Sequence, residues 1–243
     1  LGFAEADPSF DIDGIDTAHK LSILAALAFG ARIDFASVAC TGIRAIASAD
    51  IAQAAALGFR IKLVGLAEVQ DGALFQRVHP ALVPLDHPVA TTMGSLNAVV
   101  LEGDFVGRLF FQGRGAGEGP TASAVVADLI DIARSDVRPP FVMPVADLEA
   151  LPRASAGDRR GRYYLRLNVA DRAGVLAELT AALRDTGVSI ESLVQRGTSA
   201  DGGAMVVMVT HEAREEDVLA SLDRMAASPS VVGQPVMMHI LDF

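Results

Sequence analysis

Five carboxylates, Glu5, Asp7, Asp11, Asp13 and Asp16, fall within twelve residues, and Lys20 follows them as an apolar run begins. Of the 20 basic residues only Lys20 and Lys62 are lysines. An ammonium titrates readily and a guanidinium does not, so a lysine beside acids in an arginine-using chain marks a place where a proton can be moved. Asp16 and Lys20 stand four apart, which puts them on one helix face, close enough for the carboxylate to orient the ammonium. Acids in such a cluster can hold a ligand's α-ammonium by charge-assisted hydrogen bonds, while the lysine donates to a hydroxyl or carbonyl oxygen. The cluster therefore suits a small zwitterionic ligand. The spacing also allows a bland arrangement, in which Asp16 caps the helix and pairs with Lys20 at the surface while the other acids are solvated. A calcium loop is excluded, because Asp11-Ile12-Asp13-Gly14 lacks a third ligand before the glycine and a closing Glu.

The elements that must position these residues can be read outward from them. Asp16 stands at an N-cap or first-turn position, and Leu21, Ile23, Leu24, Leu27 and Phe29 cover most faces of the helix ending at Gly30, which predicts a largely buried helix. Ser48 and Asp50 open a second helix that stops at Gly58. The runs RIKLVGLAEV and ALFQRV flank Asp71-Gly72, a strong hairpin signal, and LNAVVLEGDFVGRLFFQG repeats the pattern around Gly103. Strands packed with helices make this region α+β.

The run GRGAGEGPTASAVVADLIDIAR has glycines at 113, 115, 117 and 119. Glu118 and Pro120 fall where a dinucleotide fingerprint needs its last glycine, so that motif is absent. What remains is a glycine-rich turn whose amides, at a helix N-terminus, can approach an anionic or polar ligand, or a flexible turn before a packed helix. Residues 136–160 carry four prolines and little periodicity, the texture of a linker. Beyond it Tyr163, Leu165, Leu167 and Val169 alternate along a strand, and Leu176, Leu179 and Leu183 mark a helix ending near Gly187. SIESLVQRG and GAMVVMVTH give two more strands. Val218, Leu222 and Met225 stripe a second helix, and Val236, Met238 and Ile240 alternate along a last strand. The order is βαββαβ, the ferredoxin-like arrangement.

A chain of 243 residues, 51% of them hydrophobic, can bury one or two cores. A net charge of -10 with no basic cluster argues against nucleic acid and anionic membranes as partners. No apolar run reaches the roughly 18 residues of a membrane span, and no basic segment with a cleavage site opens the sequence, which points to the cytoplasm. The single cysteine, Cys40, excludes an intramolecular disulfide and reads as a small buried residue. The five histidines lack metal-ligand spacing, and the His-Pro pairs at 79 and 87 read as turn or strand-end positions. Met237 and Met238 read as sheet packing.

Two resemblances emerge from these motifs. LNVADRAGVLAELTAALRDTGVSIESLVQRG resembles an ACT domain, the amino-acid-binding regulatory module, with Asp171-Arg172-Ala173-Gly174-Val175-Leu176 as its strand-to-helix signature. EADPSFDIDGIDTAHKL, HPVATTMGSLNAVVLEGDFVG and GRGAGEGPTASAVVADLIDIAR together resemble homoserine dehydrogenase. The implied organisation is a homoserine-dehydrogenase-type catalytic and dimerisation region of mixed sheet and helices over residues 1–135, a linker over 136–160, and the ACT domain over 161–243. In that family a nucleotide-binding domain comes first, and the resemblance implies that this sequence starts after it and is inactive alone.

The same resemblance implies that Glu5 and Asp16 bind homoserine, that Asp11 belongs to the substrate shell, and that Lys20 is the proton donor. Gly2 and Gly117 become backbone positions near the nicotinamide of NAD(P), which is held mainly by the preceding domain. The implied reaction interconverts aspartate semialdehyde and homoserine in threonine, methionine and isoleucine biosynthesis, in a homodimer or homotetramer. Threonine is the implied effector, bound near the turn from Asn168 to Gly174, where Asp171 would cap the helix. The alternative is a stand-alone amino-acid sensor without catalytic activity.

Overall fold

The computed structural model describes residues 7–198 and 203–241. In chain order the elements are α1 (Ser9–Ile12), α2 (Ile15–Phe29), β1 (Ala39–Cys40), α3 (Ser48–Ala56), β2 (Phe59–Gln70), β3 (Ala73–Pro84), α4 (Pro88–Thr91), β4 (Leu96–Gly103), β5 (Gly107–Arg114) and α5 (Glu118–Ala133). After them come β6 (Arg160–Ala170), α6 (Val175–Asp185), β7 (Ile190–Thr198), β8 (Gly203–Thr210), β9 (Ala213–Arg214), α7 (Glu215–Ala226) and β10 (Val231–Ile240). The chain divides into two compact units. The first holds the described residues up to Cys40 with Gly65–Val78 and Leu85–Pro152, and the second holds Thr41–Val64, His79–Pro84 and the described residues from Arg153 onward.

In the first unit, α2 turns a narrow face of small residues inward. Ala18, Leu21, Ser22, Ala25 and Ala26 are buried at the three- and four-residue spacing of one helix face. The expectation of a largely buried helix is corrected here, since Ile23, Leu24, Leu27 and Phe29 are exposed. Apolar residues on most faces were read as cover on most faces, whereas the described chain covers one. The β2–β3 hairpin turns at Asp71 (φ 49°) and Gly72 (φ 76°), the two left-handed positions that match the twist of the flanking strands and that Asp-Gly tolerates. β4 and β5 pair antiparallel from Leu96↔Arg114 to Gly103↔Gly107. Helix α5 buries none of its residues, so the alternative of a packed helix after the glycine-rich turn is not met among the described residues.

Cys40 is also a correction. It is exposed at the end of β1, which pairs parallel with β3 through only two residues, and its Sγ donates to the Asp13 carbonyl at 3.1 Å. A two-residue strand leaves too little neighbouring surface to bury it. The partial loss of water around the sulfur, and then the Asp13 charge, pushes its thiol pKa up. Within the proline-bearing stretch, Leu148 is buried and Glu149 bonds to the Gly30 carbonyl and the Arg32 amide through its backbone.

The second unit is a ferredoxin-like βαββαβ fold. Its sheet runs β3 (residues 81–82), β10, β6, β8, β7, with β3 parallel to β10 and the other neighbours antiparallel. Tyr163, Leu165, Leu167 and Val169 face α6 and α7, where Val175, Leu179, Leu183, Val218, Leu222 and Met225 close one core. Each fully buried aliphatic side chain there contributes on the order of 1.5–3 kcal/mol. Leu176 is exposed, and Val175 takes the buried place expected for it.

The opposite face of this sheet is apolar too. Tyr164, Val207, Val209, Val236, Met238 and Ile240 pack with Leu82 and with Ala54 of α3, and Ile46, Leu57, Phe59 and Ile61 lie against them. Burial on both faces replaces the one-sided alternation read from the sequence. His79 is likewise not at a turn. It is buried within β3, its ring edge-on to His239 at 4.5 Å, and His239 Nε2 meets Glu215 at 3.1 Å.

Candidate functional site

The acidic entry to α2 is built by two turns of backbone. α1 ends at Ile12, Gly14 precedes α2, and the first turn of α2 presents Asp16. Four residues on, Lys20 Nζ donates to Asp16 Oδ2 at 2.6 Å. The lysine side chain is 60% exposed and the aspartate 36%, so the pair is worth only a few tenths of a kcal/mol to folding and remains open to a ligand. The helix is held from the adjoining face. A Cβ at Gly65 of β2 would lie 3.3 Å from both Leu21 Cδ1 and Thr17 Cγ2, so strand and helix are in close contact beside Asp16 and Lys20. The His19 ring stacks between Phe10 and Phe35 at 5.8 and 4.1 Å, which holds α1 and the 35–37 turn against α2.

Chemically, an ammonium held by one carboxylate oxygen on an exposed helix face can give a proton to a ligand oxygen, with the carboxylate steadying its direction. Asp11 is exposed on α1, in the same acidic segment. Glu5 and Gly2 lie outside the described residues. Gly117 precedes α5 with φ 109°, and Gly113 and Gly119 have open space where a Cβ would stand. Gly113 and Gly119 can thus offer bare backbone, whereas a Cβ at Gly115 would meet the Asn97 side chain at 2.5 Å. Among the described residues there is no cluster of three or more His, Cys, Asp or Glu fit for a metal ion, and no helix long and apolar enough to cross a membrane.

In the second unit a cavity of about 400 Å³ opens where β6 turns into α6, lined by Val169, Ala170, Asp171, Arg172, Gly174 and Gln195 among others. Asp171 does not cap the helix as expected. Gly174 occupies that position with φ 95°, a left-handed conformation, and no side chain bonds the first-turn amides. A glycine there costs the backbone no Cβ clash and leaves the positive end of α6 accessible to a carboxylate. Arg172 Nη2 donates to Ser230 Oγ at 2.5 Å and Glu178 at 3.2 Å, and Glu178 accepts from Ser230 at 2.6 Å and Ser228 at 2.9 Å. Those bonds, Ser230's first, hold the Glu178 carboxyl below its usual range.

Sequence reasoning missed one further constellation. Asp50, fully buried at the start of α3, accepts from Arg166 Nε at 2.6 Å and Tyr164 Oη at 3.0 Å. Burial first, then Asp50, drives the tyrosine's pKa far above its ordinary value. The available signal was Arg166 itself, a charge in the middle of YYLRLNV.

A homoserine dehydrogenase family profile matches residues 1–130, and an ACT domain profile matches residues 163–227. The chain is 43% identical to a homoserine dehydrogenase of Synechocystis over 99% of its own length and 58% of that protein's. It is 39% identical to one of Pseudomonas aeruginosa, covering 99% of itself and 57% of the relative. A crystal structure of a homoserine dehydrogenase from Thiobacillus denitrificans superposes on 100% of this chain and 56% of that one, with TM-score 0.89 and 39% identity. The chain thus spans a little over half the length of the curated relatives it matches.

Proposed function

The chain belongs to the homoserine dehydrogenase family and carries an ACT domain, and from this we propose that it is the substrate-binding and regulatory portion of an NAD(P)-dependent homoserine dehydrogenase. The observation that carries the reading is the Lys20–Asp16 contact of 2.6 Å on an exposed face of α2, within the acidic segment. Asp11 and Asp16, with Glu5 as the family resemblance implies, receive the α-ammonium of the substrate. Lys20 points its ammonium at the aldehyde oxygen of aspartate semialdehyde and releases one proton to it as negative charge develops there, giving the primary alcohol of homoserine. In the reverse direction the neutral amine takes that proton back. A nicotinamide cofactor, when bound, would supply or accept the hydride. By the same resemblance, the backbone at Gly2 and Gly117 would be the part of this chain next to that cofactor. The glycine run at 113–119 lacks the spacing of a pyrophosphate-binding turn.

The ACT unit is the regulatory part in this reading. An α-carboxylate fits the uncapped first turn of α6, and the cavity's size suits a single amino acid, of which threonine, the end product, is the first choice. In this reading the full enzyme is also cytoplasmic and a homodimer or homotetramer. The test is Lys20→Ala in the full-length enzyme, which should lower kcat by on the order of 10²-fold or more while the fold and cofactor affinity persist. Near-normal turnover removes Lys20 from the chemistry.

A further inference from the structure

The β6–α6 cavity opens on a turn, residues 171–174, in which every residue is exposed. A short exposed turn ending in a left-handed glycine has little packing to hold it, and a ligand that had to order it would lose affinity in doing so. Resting on the amino-acid reading of this cavity given above, we propose that Arg172, Glu178, Ser228 and Ser230 are positioning residues that hold the turn in its binding shape before a ligand arrives.

Ser230 is the centre of the arrangement. It lies between α7 and β10, is fully buried, and uses main chain and side chain alike on the cavity wall. Its carbonyl accepts the Ala170 amide at 2.8 Å, where β6 ends. Its hydroxyl accepts from Arg172 Nη2 at 2.5 Å and donates to Glu178 Oε2 at 2.6 Å. Glu178 stands in the first turn of α6, and its Oε1 accepts from the same Arg172 nitrogen at 3.2 Å. Ser228 Oγ donates to Glu178 Oε2 at 2.9 Å and accepts the Ser230 amide at 3.1 Å. The entry to the turn at Ala170, its middle at Arg172 and the helix beyond it at Glu178 are therefore all tied to one buried residue.

The same bonds determine what Arg172 does not do. Its guanidinium is offset by Glu178, so attraction of a ligand carboxylate is left to the open amides of α6 and the positive end of that helix. Folding alone does not call for the pair, because its side chains are 54% and 40% exposed and an ion pair in that setting contributes little.

The experiment titrates L-threonine by calorimetry into the full-length enzyme as wild type, Ser230→Ala, Arg172→Met and the double variant, with thermal unfolding of each measured without ligand. Each single variant should weaken threonine binding by about fivefold or more, and the double variant by no more than the worse single one, since both cut one chain of bonds. Additive losses, or a loss confined to Arg172→Met, overturn the inference, the latter by making Arg172 a direct ligand contact. A Ser230→Ala enzyme that unfolds at lower temperature yet binds as wild type does overturns it as well, leaving these bonds a structural role only. Should Ser230→Ala not fold, Glu178→Gln on the exposed side of α6 decides, because it replaces one acceptor oxygen with a donor and removes a negative charge. Binding weakened by about threefold supports positioning. Loss of the charge by itself would favour a ligand carboxylate, so tighter or unchanged binding overturns the inference. A wild type that takes up no L-threonine overturns the amino-acid reading, and this inference with it.

Discussion

The two units use apolar residues differently. In the second, both faces of the sheet are covered by the chain's own helices and by residues 41–64, and Leu165, Leu167, Met208 and Met238 are fully buried. In the first, Val126, Leu129 and Ile132 of α5 and Phe111 of β5 are more than half exposed, and α2 hides one face, Leu21 and four small side chains. A hydrophobic pattern states that a face suits cover, and it does not state which body supplies it. Where the cover lies within the described chain, the informative residues are the polar exceptions, such as Arg166 and Asp50. Where it does not, the informative residues are those with chemistry, such as Lys20.

The strongest challenge to this contrast is a pair of matched truncations, read by denaturant unfolding. Leu167→Ala in β6 should cost about 2–5 kcal/mol, because it removes a buried side chain and leaves a cavity. Leu129→Ala in α5 should stay within about 0.5 kcal/mol, since that side chain is 59% exposed. Equal costs would break the contrast.

A middle-sized effect sharpens it at the β6–α6 cavity. Gly174→Asp places a carboxylate beside the uncapped turn and forces a side chain onto a left-handed backbone, at a cost of about 1–2 kcal/mol in stability. Under the proposed reading, threonine affinity should fall at least tenfold by charge repulsion while turnover of the full-length enzyme continues, as measured by calorimetry and by uninhibited rates. Binding at wild-type strength would detach the cavity from regulation.

The smallest effect is a difference in acid response. In the first unit burial, and next Arg108, lowers the His87 pKa from its ordinary 6.5, against the opposing pull of Asp86 and Glu102. A histidine kept neutral contributes stability that is present above pH 6.5 and lost as pH falls below it toward the folded value. In the second unit Glu178 is lowered from 4.5, so its contribution persists until the pH drops below that point. Thermal unfolding against pH should show a shallow loss beginning near pH 6.5 that His87→Asn removes, and a later one that Glu178→Gln removes. A His87→Asn profile identical to wild type would rule out the first.

Much of this was legible beforehand for a physical reason. Asp71-Gly72 dictated its hairpin because few residue pairs accept two left-handed positions, and Asp16 and Lys20 met because helical spacing is local. The βαββαβ order followed from alternation along β6 and β10. What escaped depended on distant segments. Nothing near Tyr164 or Arg166 in sequence announces that α3, more than a hundred residues earlier, closes the other side of their strand. Cys40 was misread because its exposure depends on how short β1 is, and Asp171 because Gly174 took the capping position itself.

The cover that α3 and the 59–64 segment give the ACT sheet has a consequence for modularity. Regulatory domains of this kind invite treatment as cassettes, cut at the proline-bearing stretch and grafted elsewhere. A piece cut there would lose Ala54, Phe59, Ile61 and Leu82 from one face of its sheet and would leave the guanidinium of Arg166 facing water or a foreign surface. The transplantable unit is therefore discontinuous in sequence, and a fusion that respects it must bring residues 41–64 and 79–84 along.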